Sequence, residues 1–220
     1  MKHIGFIFDM DGVIVDSNPY HKMALEQFCQ QVGISITQEV LLHKVYGRAN
    51  KEWLPELLGK ELSEEEIEHY GTEKELLYQQ LYRPYIRPVP GLFQFLQLLT
   101  ERKFPCAVAT SAPRMNVDFT LQHTGLSHFF ELVLDQSHVS KGKPHPEIYL
   151  KTSAALGLPP SQCIVFEDSL AGVRAARAAG CKVVGVLTTH RAEELTEAQI
   201  TIADFTNLQP EALCRQLDLV

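Results

Sequence analysis

The chain has 220 residues, 45% hydrophobic and 21% charged, which excludes intrinsic disorder and suits one large domain or a core with an insertion. A net charge of −7 argues against nucleic-acid or membrane-surface partners, and no apolar run is long enough to cross a membrane. The five cysteines are scattered, without a Cys-x-x-Cys pair, and the N-terminus does not read as a signal peptide, so we expect buried, reduced thiols in a cytoplasmic protein.

Short runs that are apolar at every position predict β-strands buried on both faces. The first run ends at Asp9, and similar runs recur along the rest of the chain. The five runs are residues 4–8, 106–109, 132–134, 163–166 and 182–186. Segments with helical period lie between them, at residues 91–102, 146–156 and 170–179. This alternation predicts an α/β fold, a Rossmann-like doubly wound parallel sheet with helices on both faces.

Residues 17–87 break the alternation and predict an all-helical cap domain inserted after the first strand. The α/β core domain is then formed by residues 1–16 and 88–220. The cap shows amphipathic segments at residues 20–32, 37–44, 51–58 and 63–82. The last of these opens with a capping box from Ser63 to Glu66.

Polar residues follow the predicted strands where each one ends. They are Asp9, Asp11, Ser111, Glu167 and Asp168. Each alone is an ordinary turn or cap residue, but carboxyl ends of parallel strands meet at one edge, where ligands bind. Clustered acids repel one another unless a cation intervenes, and Mg²⁺ suits a few carboxylates plus a substrate phosphate.

The order Asp9-Met-Asp11-Gly12 adds detail to this site. Residues two apart in extended chain face the same side, so one carboxylate can act as nucleophile while the other exchanges a proton. Gly12 permits a tight turn whose amide N–H groups can bind an anion. Lys143, alone an ordinary loop lysine, precedes Pro144 and would place a fixed positive charge beside a phosphate.

Four sequence motifs together resemble the haloacid dehalogenase superfamily, subfamily I, specifically its β-phosphoglucomutase-like phosphatases and phosphomutases. The first is Asp9-Met-Asp-Gly-Val-Ile-Val-Asp-Ser, the second ends at Ser111, the third contains Lys143-Pro, and the fourth is Glu167-Asp-Ser-Leu-Ala-Gly. Their order, and the helical segment after the first, extend the resemblance over essentially the whole chain.

The resemblance implies a role for each matching residue. Asp9 would be the nucleophile that forms an aspartyl-phosphate, and Asp11 the general acid and base. Ser111 and Lys143 would hold the transferred phosphoryl group. The metal site would comprise Asp9, the backbone carbonyl of Asp11, Glu167 (directly or through water) and Asp168. Because Asp11 is present, the dehalogenase branch, which lacks this second acid, is set aside.

The same resemblance assigns substrate choice to the cap. His21 matches a histidine of the β-phosphoglucomutases on the first cap helix, and Lys74 a cap lysine. The mutases carry an arginine where this chain has Asn50, and here the positive charges flank that position as Arg48 and Lys51. A mutase must grip both ends of a bisphosphate, so losing a bidentate arginine favours hydrolysis.

We therefore predict a Mg²⁺-dependent phosphatase of small phosphorylated metabolites, with sugar phosphates foremost. β-Phosphoglucomutase is the alternative, and other phosphotransfer, on pyrophosphates or phosphonates, comes after it. A non-catalytic protein that binds a phosphorylated metabolite is the remote alternative, disfavoured because Asp9, Asp11, Lys143 and Asp168 are all present. The only partner expected is the small metabolite, and we expect a monomer.

Overall fold

The computed structural model describes residues 4–34 and 50–219, and the chain divides into two compact units. One unit comprises Met1–Asp16 and Ile86–Val220, and the other comprises Ser17–Tyr85. The predicted helix over residues 37–44 lies outside the described residues.

The described part of Ser17–Tyr85 is helical. Its helices are α1 (Asn18–Gln31), α2 (Asn50–Leu58) and α3 (Glu64–Tyr82). They enclose a small core that includes Phe28 and Trp53. The predicted capping box is confirmed: the Ser63 Oγ accepts from the Glu66 N–H at 3.2 Å, and the Ser63 N–H donates to Glu66 Oε2 at 2.9 Å.

The other unit is built on a six-stranded sheet. Its strands are β1 (Gly5–Phe8), β2 (Cys106–Ala109), β3 (Leu132–Leu134), β4 (Cys163–Glu167), β5 (Lys182–Val186) and β6 (Ile200–Ile202). All neighbouring strands are parallel, in the order β3-β2-β1-β4-β5-β6. The predicted doubly wound α/β fold is confirmed, and its strand order reverses between β1 and β4, the place where such sheets bind ligands.

Five α-helices complete the described part of this unit. They are α4 (Leu92–Glu101), α5 (Arg114–Thr124), α6 (Glu147–Ala155), α7 (Leu170–Ala179) and α8 (Pro210–Gln216). Every residue of β1 and β4 is buried, because both faces of the sheet are covered. On one face Phe8 stacks on Phe166 with ring centroids 4.8 Å apart, and on the other Ile7 and Val165 share a cluster with Tyr149 and Val173.

All five cysteines are buried and free, as the sequence predicts. Among the described residues, no helix combines the length and the apolar character that a bilayer crossing requires.

Candidate active site

Asp9 lies directly after β1 at the reversal of strand order. Its N–H donates to Phe166 O at 3.0 Å, which continues the pairing of β1 with β4 by one residue. The residue is 7% exposed and therefore almost fully desolvated. The backbone register thus places the Asp9 carboxylate beside the residues that follow β4.

Gly12 closes the turn after β1. It adopts φ +79°, and a Cβ there would lie 2.0 Å from Asp168 Oδ2, so only glycine allows this close approach. The sequence predicts that amide N–H groups of this turn bind phosphate, and the N–H of Gly12 itself donates to Val15 O at 2.7 Å. Phosphate binding at Gly12 stays a prediction, while in the structure Gly12 makes room for Asp168. The Thr188 hydroxyl donates to the Gly12 carbonyl.

Glu167 ends β4 with its carboxylate enclosed by donors. Oε1 accepts from Lys143 Nζ at 2.5 Å and from the Tyr149 hydroxyl at 2.6 Å. Oε2 accepts from the backbone N–H groups of Asp168 and Ser169 at 3.1 and 3.2 Å, and from the Ser169 Oγ at 3.0 Å. Both oxygens are therefore fixed by the protein.

The start of α7 is shaped to fit this carboxylate. Ser169 is the N-cap, and its Oγ accepts from the Gly172 N–H at 3.0 Å. A Cβ on Gly172 would lie 1.8 Å from Glu167 Oε1, so the first turn can cover the carboxylate only because residue 172 has no side chain.

Lys143 brings one positive charge into the cluster. Its Nζ lies 2.6 Å from Asp9 Oδ1, 2.5 Å from Glu167 Oε1 and 3.3 Å from Ala109 O, and the side chain is 7% exposed. The ammonium therefore joins residues from three strand ends, β1, β2 and β4.

A carboxylate outside this cluster, that of Glu147, holds the loop that carries Lys143. Glu147, in the first turn of α6, accepts from the N–H and Oγ of Ser140 at 3.1 and 2.9 Å, and from the Lys141 N–H at 3.0 Å. It also pairs with Lys151 at 2.7 Å. The hydrogen bonds from Lys151 and Ser140 lower the pKa of Glu147 to about 2, so the Glu147 carboxylate is ionised at neutral pH. We call its hydrogen bonds from Ser140 and Lys141 the clasp.

Burial dominates the electrostatics of the cluster. It raises the pKa of Asp9 well above its usual range despite the charge of Lys143, and with the charge of Glu167 it raises the pKa of Asp168 to about 7. Burial also opposes ionisation of Glu167, but Lys143 and the other donors outweigh it and lower that pKa. For Lys143, burial opposes the charged form, yet Asp9 and Glu167 raise the pKa.

One ammonium does not balance this set of acids. Carboxylate oxygens of Asp9, Glu167 and Asp168 all lie within 4.8 Å of one another, and all three residues are buried. An oxygen-only donor set with excess negative charge fits a hard divalent cation such as Mg²⁺. The negative charge of Asp11 is close enough to raise the pKa values of both Asp9 and Asp168.

Ser111 lies at the same edge of the sheet, two residues after β2, and is exposed. The Thr110 N–H donates to Leu134 O at 3.0 Å, and the Ala112 N–H donates to Thr110 Oγ1 at 3.1 Å. Bonds on either side therefore fix the turn that presents Ser111. Its role as a phosphate ligand stays a prediction.

Within the helical unit, two predicted residues meet at a third. The His21 ring stacks on Tyr78 with centroids 3.7 Å apart, and its Nδ1 lies 4.0 Å from Glu75 Oε2. Lys74 pairs with the same carboxylate, through Oε1. Glu75, which was not predicted from the sequence, has a side chain that is only 9% exposed.

Of the predicted substrate residues Arg48, Asn50 and Lys51, only Asn50 has a described side chain. Asn50 Oδ1 accepts from the Trp53 indole N–H at 3.2 Å, and a Cβ on Gly71 would lie 2.5 Å from Asn50 Nδ2. Asn50 therefore packs within its own unit. Arg48 and the side chain of Lys51 lie outside the described residues.

The sequence reasoning missed several residues of the cluster. Thr188 and Thr189 follow β5, and the Thr189 hydroxyl donates to Asp168 Oδ2. The rule that selected Asp9 and Asp168, polar residues after a strand, would have found these threonines too. Tyr149 lies inside α6 and carries no such signal. Burial, then the charge of Glu167, raises its pKa, so its hydroxyl remains a donor.

Comparison with known proteins supports a phosphoryl-transfer site. The family model described as haloacid dehalogenase-like hydrolase matches residues 6–186. Validoxylamine A 7′-phosphate phosphatase of Streptomyces hygroscopicus subsp. limoneus is 32% identical, over 92% of this chain and 94% of its own length. Fructose-1-phosphate phosphatase YqaB of Escherichia coli is 30% identical, over 84% and 97%. The crystal structure of β-phosphoglucomutase from Clostridium difficile superposes with a TM-score of 0.83 at 30% identity, covering 97% of this chain and 96% of that one.

Proposed function

Because the chain belongs to the haloacid dehalogenase-like hydrolases, in their group of phosphoric monoester hydrolases and phosphomutases, we propose that it hydrolyses small phosphorylated metabolites with Mg²⁺. Sugar phosphates are the first candidates, since the phosphatase relatives include one named for fructose 1-phosphate. The observation that carries this proposal is the meeting of Asp9, Glu167, Asp168 and Lys143 where the strand order reverses.

In the first half-reaction a carboxylate oxygen of Asp9 attacks phosphorus in line with the ester oxygen. The P–O bond to the ester oxygen breaks, its electron pair stays on that oxygen, and Asp11 supplies the proton. Lys143 and Ser111 bind the phosphoryl oxygens and stabilise the charge that develops on them.

In the second half-reaction a water molecule attacks the phosphorus of the aspartyl-phosphate. Asp11 takes the proton of that water, and the bond between Asp9 and phosphorus breaks to release inorganic phosphate and the free carboxylate. Asp9 and Asp168, with the Asp11 carbonyl and Glu167 nearby, would hold the Mg²⁺. When bound, this ion neutralises the excess negative charge of the acids and of the substrate phosphate.

The contacts of Asn50 favour hydrolysis over mutase chemistry. Its amide is used inside the helical unit, on Trp53 and against Gly71, so it is not a substitute for an arginine that grips a second phosphate. Phosphomutase activity remains the alternative, because the chain is also similar to the C. difficile β-phosphoglucomutase. β-Glucose 1-phosphate with a trace of the 1,6-bisphosphate separates the two: glucose 6-phosphate formed faster than free phosphate would identify a mutase.

The direct test is phosphate release from a panel of phosphorylated metabolites and from a phenyl phosphate ester. We expect activity that EDTA abolishes and Mg²⁺ restores. Asp9→Asn removes the nucleophile and should lower kcat at least about a thousandfold. The matched control is Asp118→Asn, the same chemical change on the exposed face of α5, where Asp118 pairs with the surface residue Arg114. Near-normal turnover by Asp9→Asn would refute the proposal.

The cytoplasmic location and the monomeric state remain predictions. Gel filtration beside the activity assay would check the second of them.

A further inference from the structure

Tyr149 is a buried polar residue that the proposed mechanism does not use. It lies in α6 with no exposed surface, and its hydroxyl donates to Glu167 Oε1 at 2.6 Å. Its ring also faces Lys143, whose Nζ is 5.0 Å from the ring centroid. A phenylalanine would fill the same space and keep the ring contact, so the hydroxyl itself needs an explanation.

The hydroxyl is the second hydrogen-bond donor to Glu167 Oε1. A carboxylate has about four lone-pair sites, two on each oxygen. The Glu167 carboxylate accepts five hydrogen bonds, three on Oε2 and two on Oε1. Without Tyr149, Oε1 would keep one hydrogen-bond donor among the described residues, Lys143.

The loss of this donor would affect Lys143, which bonds two carboxylates. Its ammonium bonds Asp9 Oδ1 at 2.6 Å and Glu167 Oε1 at 2.5 Å. An Oε1 that loses one donor attracts the other more strongly, because the buried charge must be compensated by fewer partners. Lys143 would then shift toward Glu167 and away from Asp9.

We propose that Tyr149 is a positioning residue whose hydroxyl shares the charge of Glu167, so that Lys143 stays centred between Glu167 and the nucleophile Asp9. This rests on the proposed function for its effect on rate, but the position of Lys143 can be measured without turnover. Tyr149 touches neither substrate nor metal in this proposal and acts through its two neighbours.

The test compares Tyr149→Phe with Thr152→Val. Both remove one buried hydroxyl from the same helix, but the Thr152 Oγ1 donates to Ile148 O at 2.7 Å and not to Glu167. With a phenyl phosphate ester and Mg²⁺, we expect Tyr149→Phe to lower kcat roughly tenfold and to keep KM within about twofold of the wild-type value. The reason is that Lys143, which binds the reacting phosphoryl group, is displaced. Thr152→Val should keep kcat, whatever it does to the melting temperature.

The decisive readout is the ¹⁵N–¹H resonance of the Lys143 ammonium in metal-free protein, assigned with Lys143→Met. We expect this resonance to shift in Tyr149→Phe and to stay in place in Thr152→Val. An unchanged resonance in Tyr149→Phe overturns the proposal, even if kcat falls. If the wild-type protein hydrolyses no phosphate ester, the proposed function fails, while a shifted resonance still supports the positioning by Tyr149.

Discussion

Gly172→Ala is the sharpest steric test of the candidate site. The new methyl carbon would lie 1.8 Å from Glu167 Oε1, 1.9 Å from Cδ and 2.2 Å from Oε2, so the carboxylate cannot remain where it is. The backbone of Gly172 is helical, so the substitution introduces no unfavourable φ. Steric displacement of Glu167 is therefore the main effect.

The expected loss of folding stability follows from the hydrogen bonds to Glu167 that must break. Oε1 is nearest to the methyl group, and it accepts from Lys143 and Tyr149. Hydrogen bonds to a charged group contribute about 1.5–3 kcal/mol each, while alanine stabilises a helix by about 1 kcal/mol over glycine. The free energy of unfolding should therefore fall by about 3 kcal/mol, which lowers the melting temperature by roughly 6–12 °C in a chain of this size.

Thermal unfolding of the metal-free protein and Mg²⁺ titration of the same sample measure this effect. Gly142→Ala is the control, since its φ is ordinary and its added Cβ would meet no heavy atom within 4 Å among the described residues, its two chain neighbours aside. It should change the melting temperature little. A Gly172→Ala protein as stable as wild type, with unchanged Mg²⁺ affinity, would show that the carboxylate of Glu167 does not occupy this position.

Two further predictions concern pH and the loop that carries Lys143. Burial raises the pKa of Asp168 from 3.8 to about 7, so the folded protein holds a proton that the unfolded chain releases, and stability is lost as pH rises toward and through 7. In EDTA we expect the urea midpoint to fall between pH 5 and pH 8, and Asp168→Asn to flatten that fall; an equally steep fall in the variant would contradict the assignment. Glu147→Gln should lower kcat by about tenfold because it loosens the clasp on Ser140 and Lys141, whereas Lys151→Met, which leaves those bonds intact, should not. Equal kcat values in these two variants would argue against the clasp.

The sequence predicts the strands well because parallel strands buried on both faces are apolar throughout. Residues 106–109 and 182–186 are strands with those bounds in the structure. The sequence pattern did not predict helix α5, because the buried face of this helix includes the polar residues Asn116 and Thr120 and its apolar period is therefore interrupted. Strand β6 has three half-buried residues at the sheet edge, too few for any pattern to emerge.

The site divides in the same way. Asp9 and Asp168 could be placed together because chain topology alone brings the ends of β1 and β4 side by side. The donor use of the Gly12 N–H could not be foreseen, because it depends on how the turn closes onto Val15. The helical period could predict that Tyr149 is buried. It does not predict that the Tyr149 hydroxyl contacts the carboxylate of Glu167 on β4.

The distribution of charge predicts unlike roles for the acids of this site. Lys143 bonds to Asp9 and Glu167, and the donors around Glu167 lower its pKa even in a fully buried position. Asp168 receives less compensation, and its pKa is raised to about 7. A divalent cation therefore gains most by binding beside Asp168 and Asp9, where negative charge is poorly balanced. We expect Glu167 to serve chiefly as the counter-charge of Lys143, so that loss of Lys143 and loss of the metal should impair the protein in different ways.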